Sequence, residues 1–189
     1  MSGLRVVAGE LRGRRLVAPP GWDTRPTADR VREAIFAIVG PVDGLAVLDL
    51  FAGSGALAIE ALSRGADRAT LVERDRDALA AIRRNLSDLG LEDRCRVVAA
   101  DWRAALARER AAGRRFGLCL LDPPYSLLPL IAGRLWPALA PVLAPRATLV
   151  VEHVARSPIL PELPALTIAS RTDRTYGDTG VLVLRLGAP

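Results

Sequence analysis

Leu45-Ala46-Val47-Leu48-Asp49-Leu50-Phe51-Ala52-Gly53-Ser54-Gly55 is an apolar run that ends in an acid and two glycines. A short, continuous apolar segment bounded by turn residues predicts a buried parallel strand. Gly53 and Gly55 allow a close backbone approach and present N–H groups at the start of the helical stretch Ala56 to Arg64, which Gly65 closes. Strand, glycine turn and helix in that order are the setting of a nucleotide-binding loop. The pattern continues downstream. Ala69 to Glu73 is the next strand, and Glu73 stands 20 residues after Gly53, where a carboxylate grips ribose hydroxyls. Asp75 to Leu89 is a helix with Leu79, Ile82, Leu86 and Leu89 on one side and Gly90 as its stop. Arg96 to Ala100 is a third strand, followed by Asp101-Trp102. An acid and a flat ring at a strand end suit an adenine; alternatively the aspartate caps the helix Arg103 to Ala112 and the indole lies in the core.

Phe116 to Leu121 is again a short apolar strand, and Asp122-Pro123-Pro124-Tyr125 follows it. Two prolines end a hydrogen-bonded ladder, because neither has an N–H and both fix φ. The product is a stiff loop at a strand's carboxyl end carrying a carboxylate, free carbonyls and a ring, at the edge where open α/β sheets bind ligands. The plainer reading is a strand-ending turn with an exposed tyrosine. Ser126 to Ala144 reads as helix interrupted by Pro129, Pro137 and Pro141, with Pro137 able to begin a second short helix. Ala147 to Glu152 is a fifth strand, with the single histidine, His153, directly after it. Ala165 to Arg171 and Gly180 to Leu186 are strands with no helix between them, so a parallel sheet ends in an antiparallel pair.

The N-terminal part has a different character. Arg5-Val6-Val7-Ala8 and Arg14-Arg15-Leu16-Val17 flank Gly9-Glu10-Leu11-Arg12-Gly13, a hairpin pattern with a glycine-bearing loop. An isolated hairpin is marginal in water, so this one must dock or meet a partner. Pro19-Pro20-Gly21-Trp22 reads as a linker, giving a hairpin extension over residues 1–24 and a main domain over 25–189. Pro26-Thr27 opens a helix whose apolar stripe is Val31, Ala34, Ile35, Ile38 and Val39, with Arg30 and Arg32 off that stripe. All basic residues are arginine, and the net charge is +5. The first 35 residues hold seven arginines against four acids, +3 of that total. Such clustering is an electrostatic footprint for phosphates. Cys95 and Cys119 are far apart and read as buried free thiols; no Cys/His spacing suggests a metal. No run approaches the roughly 18 apolar residues of a membrane span. A soluble cytoplasmic protein is expected.

Gly53-x-Gly55-x-x-Ala58 satisfies a dinucleotide fingerprint, which keeps a NAD-dependent oxidoreductase open. S-adenosylmethionine, with ribose and adenine but no pyrophosphate, is the other ligand that suits the loop. Asp49 favours it, since a carboxylate there repels a pyrophosphate and attracts the methionine ammonium. Asp49-Leu-Phe-Ala-Gly53-Ser-Gly55, Glu73, Asp101 and Asp122-Pro-Pro-Tyr125 together resemble a Rossmann-like methyltransferase acting on exocyclic amines. Arg5-Val-Val-Ala-Gly-Glu-Leu-Arg-Gly-Arg-Arg-Leu16, Arg25-Pro-Thr-Ala-Asp-Arg-Val-Arg-Glu33 and Tyr176-Gly-Asp-Thr-Gly180 resemble, more narrowly, the bacterial family that methylates a guanine N2 of 16S ribosomal RNA.

The resemblance covers nearly the whole chain. It implies an α/β fold of the Rossmann-like class I methyltransferase type: a mostly parallel seven-stranded sheet ending in an antiparallel hairpin. It also implies methyl transfer from S-adenosylmethionine, without a metal, to 16S rRNA in the small ribosomal subunit or an assembly intermediate. The catalytic set is then Asp122, Pro123, Pro124 and Tyr125, and the cofactor set Asp49, Phe51, Gly53, Ser54, Gly55, Glu73, Asp101 and Trp102. Arg5, Arg12, Arg14, Arg15, Arg25 and Arg30 are the candidates for RNA contact. Thr27, Asp29 and Arg30 stand where a helix start can approach either the cofactor or the RNA. A DNA or RNA adenine-N6 methyltransferase is the nearest alternative, because Asp-Pro-Pro-Tyr alone does not separate the two.

Overall fold

A computed structural model describes residues 3–21, 26–156, 161–163 and 166–188, the side chains of 26–28 excepted. Arg25 and the proposed boundary between residues 24 and 25 lie outside the described residues, as do the side chain of Thr27 and the residue Ala165. The chain runs α1 (Pro26–Val39), β1 (Ala46–Leu50), α2 (Ala56–Ser63), β2 (Arg68–Glu73), α3 (Arg76–Leu89), β3 (Cys95–Ala99), α4 (Trp102–Ala111), β4 (Phe116–Leu121), α5 (Leu128–Leu139), β5 (Leu143–Val154), β6 (Ile168–Tyr176) and β7 (Thr179–Leu186). The strands form one sheet in the order β3-β2-β1-β4-β5-β7-β6. The first five pair in parallel; β7 is antiparallel to both β5 and β6.

Alternation along the strands divides the core between the two faces. Val47, Leu71, Leu118, Leu120 and Val150 pack on one face with Ile35 and Phe36 of α1, Ile59 and Leu62 of α2 and Ile82 of α3. Leu48, Leu50, Cys119, Leu121 and Leu149 pack on the other with Leu106 of α4 and Leu135 and Trp136 of α5. Burial raises both thiols, that of Cys95 to about 12.

Three local expectations change. Pro137 does not start a new helix: α5 passes through it as far as Leu139. The missing N–H costs one bond to the Gly133 carbonyl, and only two residues of helix follow, so a break is avoided. The stretch Thr172 to Tyr176, beyond the strand Ala165 to Arg171 expected from sequence, belongs to β6, which begins at Ile168 and reaches a tight turn at Gly177-Asp178. Polar residues there, such as Asp173 and Arg174, lie on an edge strand that faces solvent, where apolar alternation is not required. The N-terminal hairpin has a single formal bridge, Arg5 to Arg15, with Val6 and Leu16 buried beneath it.

That hairpin docks on α2 and α3. Glu60, wholly buried, accepts the N–H groups of Val7 (2.8 Å) and Ala8 (2.9 Å). Asn85 exchanges two hydrogen bonds with Val17. Gly9 lies so close to Ser63 that a Cβ there would meet the Ser63 carbonyl oxygen at 1.8 Å. Arg32 is buried rather than solvated. It donates to Asp29 (2.9 Å) and to the Arg5 carbonyl, and its Nε lies 3.5 Å from Glu60. Its charge therefore holds the fold, not a phosphate.

Candidate active site

The carboxyl ends of β2, β3, β1 and β4 open into one cleft of about 850 Å³. Glu73, Asp101 and Trp102 wall one end, and Asp122, Pro123, Pro124 and Tyr125 the other, with Phe51, Leu127 and Ile131 contributing apolar surface. The sheet order explains the meeting: β1 stands between β2 and β4, so the turns after these strands share an edge.

Asp49, Gly53, Ser54 and Gly55 are buried and do not line the cleft. Asp49 Oδ2 instead accepts the Ala58 N–H in the first turn of α2 at 3.1 Å. It thus takes one of the N–H donors at the start of α2 that a pyrophosphate would use, and places a carboxylate beneath that helix start, which disfavours the dinucleotide reading. Its Oδ1 has no partner among the described residues. Burial, opposed by the Ala58 bond and reinforced by the charges of Asp122 and Glu73, raises its pKa to about 7. Gly53 and Gly55 have φ of 56° and 79°. A Cβ on Gly55 would lie 2.9 Å from Leu71, so this glycine serves both turn and packing. Phe51 shares the left-handed region, φ 84°, without being glycine, and this strained residue lies on the cleft wall.

Glu73 accepts from Gly53 N (2.9 Å) through one oxygen and from Arg74 N and Asp75 N through the other. One carboxylate thus ties the glycine turn to the β2 end and keeps lone pairs toward the cleft. Asp101 Oδ1 caps α4, accepting from Arg103 N (2.7 Å) and Ala104 N (3.3 Å), while the residue also lines the cleft. Trp102 is largely buried, and the Arg103 guanidinium sits 4.6 Å from its ring centre.

Asp122 is exposed and borders the cleft, and desolvation by the surrounding protein raises its pKa to about 6. Pro123 is buried, and the Pro124 carbonyl accepts the Leu127 N–H at 2.8 Å, tying the loop to the start of α5. Tyr125 is 41 % exposed, and its hydroxyl is 2.8 Å from that of Thr179. Among the described residues no cluster of His, Cys, Asp and Glu suits a metal ion.

Sequence reading assigned no role to Glu152. The register Leu121 to Val151 puts it beside Asp122 on the same sheet face as Asp49. Burial, then the charges of Asp122 and Asp49, hold its carboxyl well above the usual range, with Arg32 opposing. An acid at the end of a fifth strand was the available signal. His153, the next residue, does not line the cleft. It is a buried residue of β5 whose ring lies against Gly180 of β7, with Nδ1 2.9 Å from the Val154 carbonyl and Nε2 3.8 Å from Asp173. Arg5, Arg12, Arg14, Arg15 and Arg30 are exposed. Arg5, Arg12, Asp29 and Arg30 border a second concavity of about 490 Å³, separate from the cleft, and Arg14 donates to the Asp88 carbonyl at 2.8 Å.

A parallel sheet of this order with an inserted antiparallel β7, and a ligand cleft over its carboxyl edge, is the Rossmann-like class I methyltransferase fold. The family model described as Conserved hypothetical protein 95 matches residues 4–185, and the chain belongs to that family. The Bacillus subtilis (strain 168) protein YlbH, provisionally named an rRNA methyltransferase, is 41% identical over 185 residues, 96% of this chain and 98% of that one. Ribosomal RNA small subunit methyltransferase D of Escherichia coli (strain K12) is 42% identical over 123 residues, 65% of this chain and 60% of its own length. The solved Escherichia coli protein yhhF, provisionally titled a methyltransferase, superposes with a TM-score of 0.82 at 32% identity, covering 100% of both chains. At 15% identity the fold alone recurs in SMU.776, solved with SAH, with a TM-score of 0.67 over 84% of this chain and 49% of that one.

Proposed function

We propose that the chain is an S-adenosylmethionine-dependent rRNA methyltransferase whose target is the exocyclic N2 amine of one guanine in 16S rRNA of the small subunit. The observation that carries this reading is the single cleft with an adenosine-suited end (Glu73, Asp101, Trp102) and an amine-suited end (Asp122 to Tyr125). The relatives named as rRNA methyltransferases support the substrate class, and the small-subunit name of one supports the particle.

S-adenosylmethionine supplies the methyl group. The residues of this chain supply the rest. Glu73 accepts from ribose hydroxyls, and Asp101 from the adenine amino group. An aromatic amine is a poor nucleophile, because its lone pair is delocalised into the ring. Asp122 and the Pro123 carbonyl accept its two hydrogens, which favours a tetrahedral nitrogen and aims the lone pair along the cleft. The nitrogen becomes cationic as it is methylated; the ionised Asp122 favours that charge, and the nitrogen then gives up its proton to Asp122 or to water. Tyr125 offers its exposed face to the base, a stacking contact worth about 1–3 kcal/mol. A base held in a helix must be unstacked to reach this loop.

Hydrogen-bond geometry around one amine does not distinguish guanine from adenine, so the product decides. The protein is supplied with labelled S-adenosylmethionine and, in parallel, small ribosomal subunits, naked 16S rRNA and DNA, and the modified nucleoside is identified by mass spectrometry. N2-methylguanosine at one site is expected. N6-methyladenosine, or label confined to DNA, would overturn the assignment.

A further inference from the structure

We propose that Thr179 is a positioning residue for the target base: its hydroxyl fixes the Tyr125 ring in the orientation on which the base stacks. The inference rests on the stacking role assigned to Tyr125 above. The two hydroxyls are 2.8 Å apart although 54 residues separate them in sequence. Tyr125 needs such an anchor. It stands at the end of a loop with 41 % of its surface exposed, and its ring would otherwise have to be ordered when the base arrives.

Thr179 is a rigid post. It pairs with Val154 across β5 and with Tyr176 across β6. Gly177 makes the adjoining turn at φ 63°, and the Asp178 carbonyl accepts the Ala155 N–H at 3.0 Å. Gly180, the next residue, faces His153, and a Cβ there would lie 2.2 Å from the imidazole Cε1. The imidazole therefore fills the space that a side chain at position 180 would take, and β7 closes against β5 at the level of the Asp-Pro-Pro-Tyr corner. Tyr176-Gly-Asp-Thr-Gly180 gains a purpose from this placement. The turn carries one hydroxyl to one ring, and the glycine beside it lets the strands meet.

The test uses the full chain, S-adenosylmethionine and small ribosomal subunits from a strain lacking this gene. Thr179→Val keeps the shape and removes the hydroxyl. KM for the subunit is expected to rise about fivefold, the effect of one ordinary hydrogen bond, while S-adenosylmethionine affinity and Tm stay unchanged. Thr179→Ser restores the wild-type KM. Tyr125→Phe removes the same bond from the other side without touching β7, so it should reproduce the defect even if Thr179→Val folds poorly. The double variant Tyr125→Phe/Thr179→Val should be no worse than either single one. Wild-type KM in Thr179→Val and in Tyr125→Phe, or two losses that multiply, would overturn the proposal. Tyr125→Ala separates the two levels. If it too has a wild-type KM, the stacking role falls, and this inference with it. If it is impaired while Thr179→Val and Tyr125→Phe are not, only the Thr179 assignment falls.

Discussion

A carboxylate accepts a hydrogen bond from an amine, and stabilises the charge that develops there, more strongly when it is ionised. Asp122, raised by desolvation to about 6, is ionised at neutral pH and not far below it. Methyl transfer at subsaturating RNA should fall about tenfold per pH unit below that value. Asp122→Asn keeps an acceptor oxygen but cannot titrate, so its residual activity should lack this limb in a kcat/KM profile. Asp122→Ala should lower turnover by about a hundredfold or more and leave S-adenosylmethionine binding intact by calorimetry. Asp49 makes a stability statement. Its pKa is 3.8 in a model peptide and about 7 when folded, through burial first and then neighbouring charge. Between those values the folded protein holds a proton that the unfolded chain releases. The stability contributed is full below 3.8 and is lost as pH rises through 7. Asp49→Asn should therefore flatten the decline of Tm over that window. The acids at the strand ends were legible in sequence because each follows directly on an apolar run. That Asp49 faces the helix start instead of the cleft was not, since burial depends on what packs above it.

The elements that differ most from their sequence reading are the N-terminal hairpin and β6. The hairpin was legible from two short β-like runs and the glycines between them, but its attachment was not. Glu60 reads as one polar residue in an otherwise apolar helix, yet it receives two hairpin N–H groups and the charges of Arg32 and Arg64. Glu60→Ala strands those groups, and the loss of a buried ionic partner costs about 3–5 kcal/mol. Faster tryptic cleavage within residues 5–15, together with a lower denaturation midpoint, is the expected result. The exposed arginines serve a different end. Replacing Arg12, Arg14 and Arg15 together by alanine should weaken RNA binding and make log K against log salt shallower by about 0.7 per lost contact to single-stranded RNA. Cofactor affinity should not change, since none of the three lines the cleft. Arg32 looked like a member of the same basic cluster. Only its place on the buried face of α1 removes it, and periodicity mispredicted that face because the guanidinium is neutralised there by Asp29 and Glu60.

At the scale of the whole molecule the cleft joins loops from four strands, so a ligand that fills it stabilises the entire sheet edge. At a hundredfold excess over Kd, binding adds about 2.7 kcal/mol, or about 5–10 °C in Tm for a chain of this size. S-adenosylmethionine should produce that shift in a thermal melt, and a nicotinamide dinucleotide should produce none, because Asp49 already holds the start of α2. The amino-acid sequence by itself determined the kinds and order of elements, the glycine turn, the acids at the strand ends and the proline-stiffened corner. These are local properties, written in periodicity, breakers and short spacings. Only the tertiary structure decided which of them meet. The insertion of β7 between β5 and β6 brings Thr179 to Tyr125, and the β4–β5 register sets Glu152 beside Asp122. Contacts between residues far apart in the chain are fixed by how the sheet packs, and no local pattern encodes that packing.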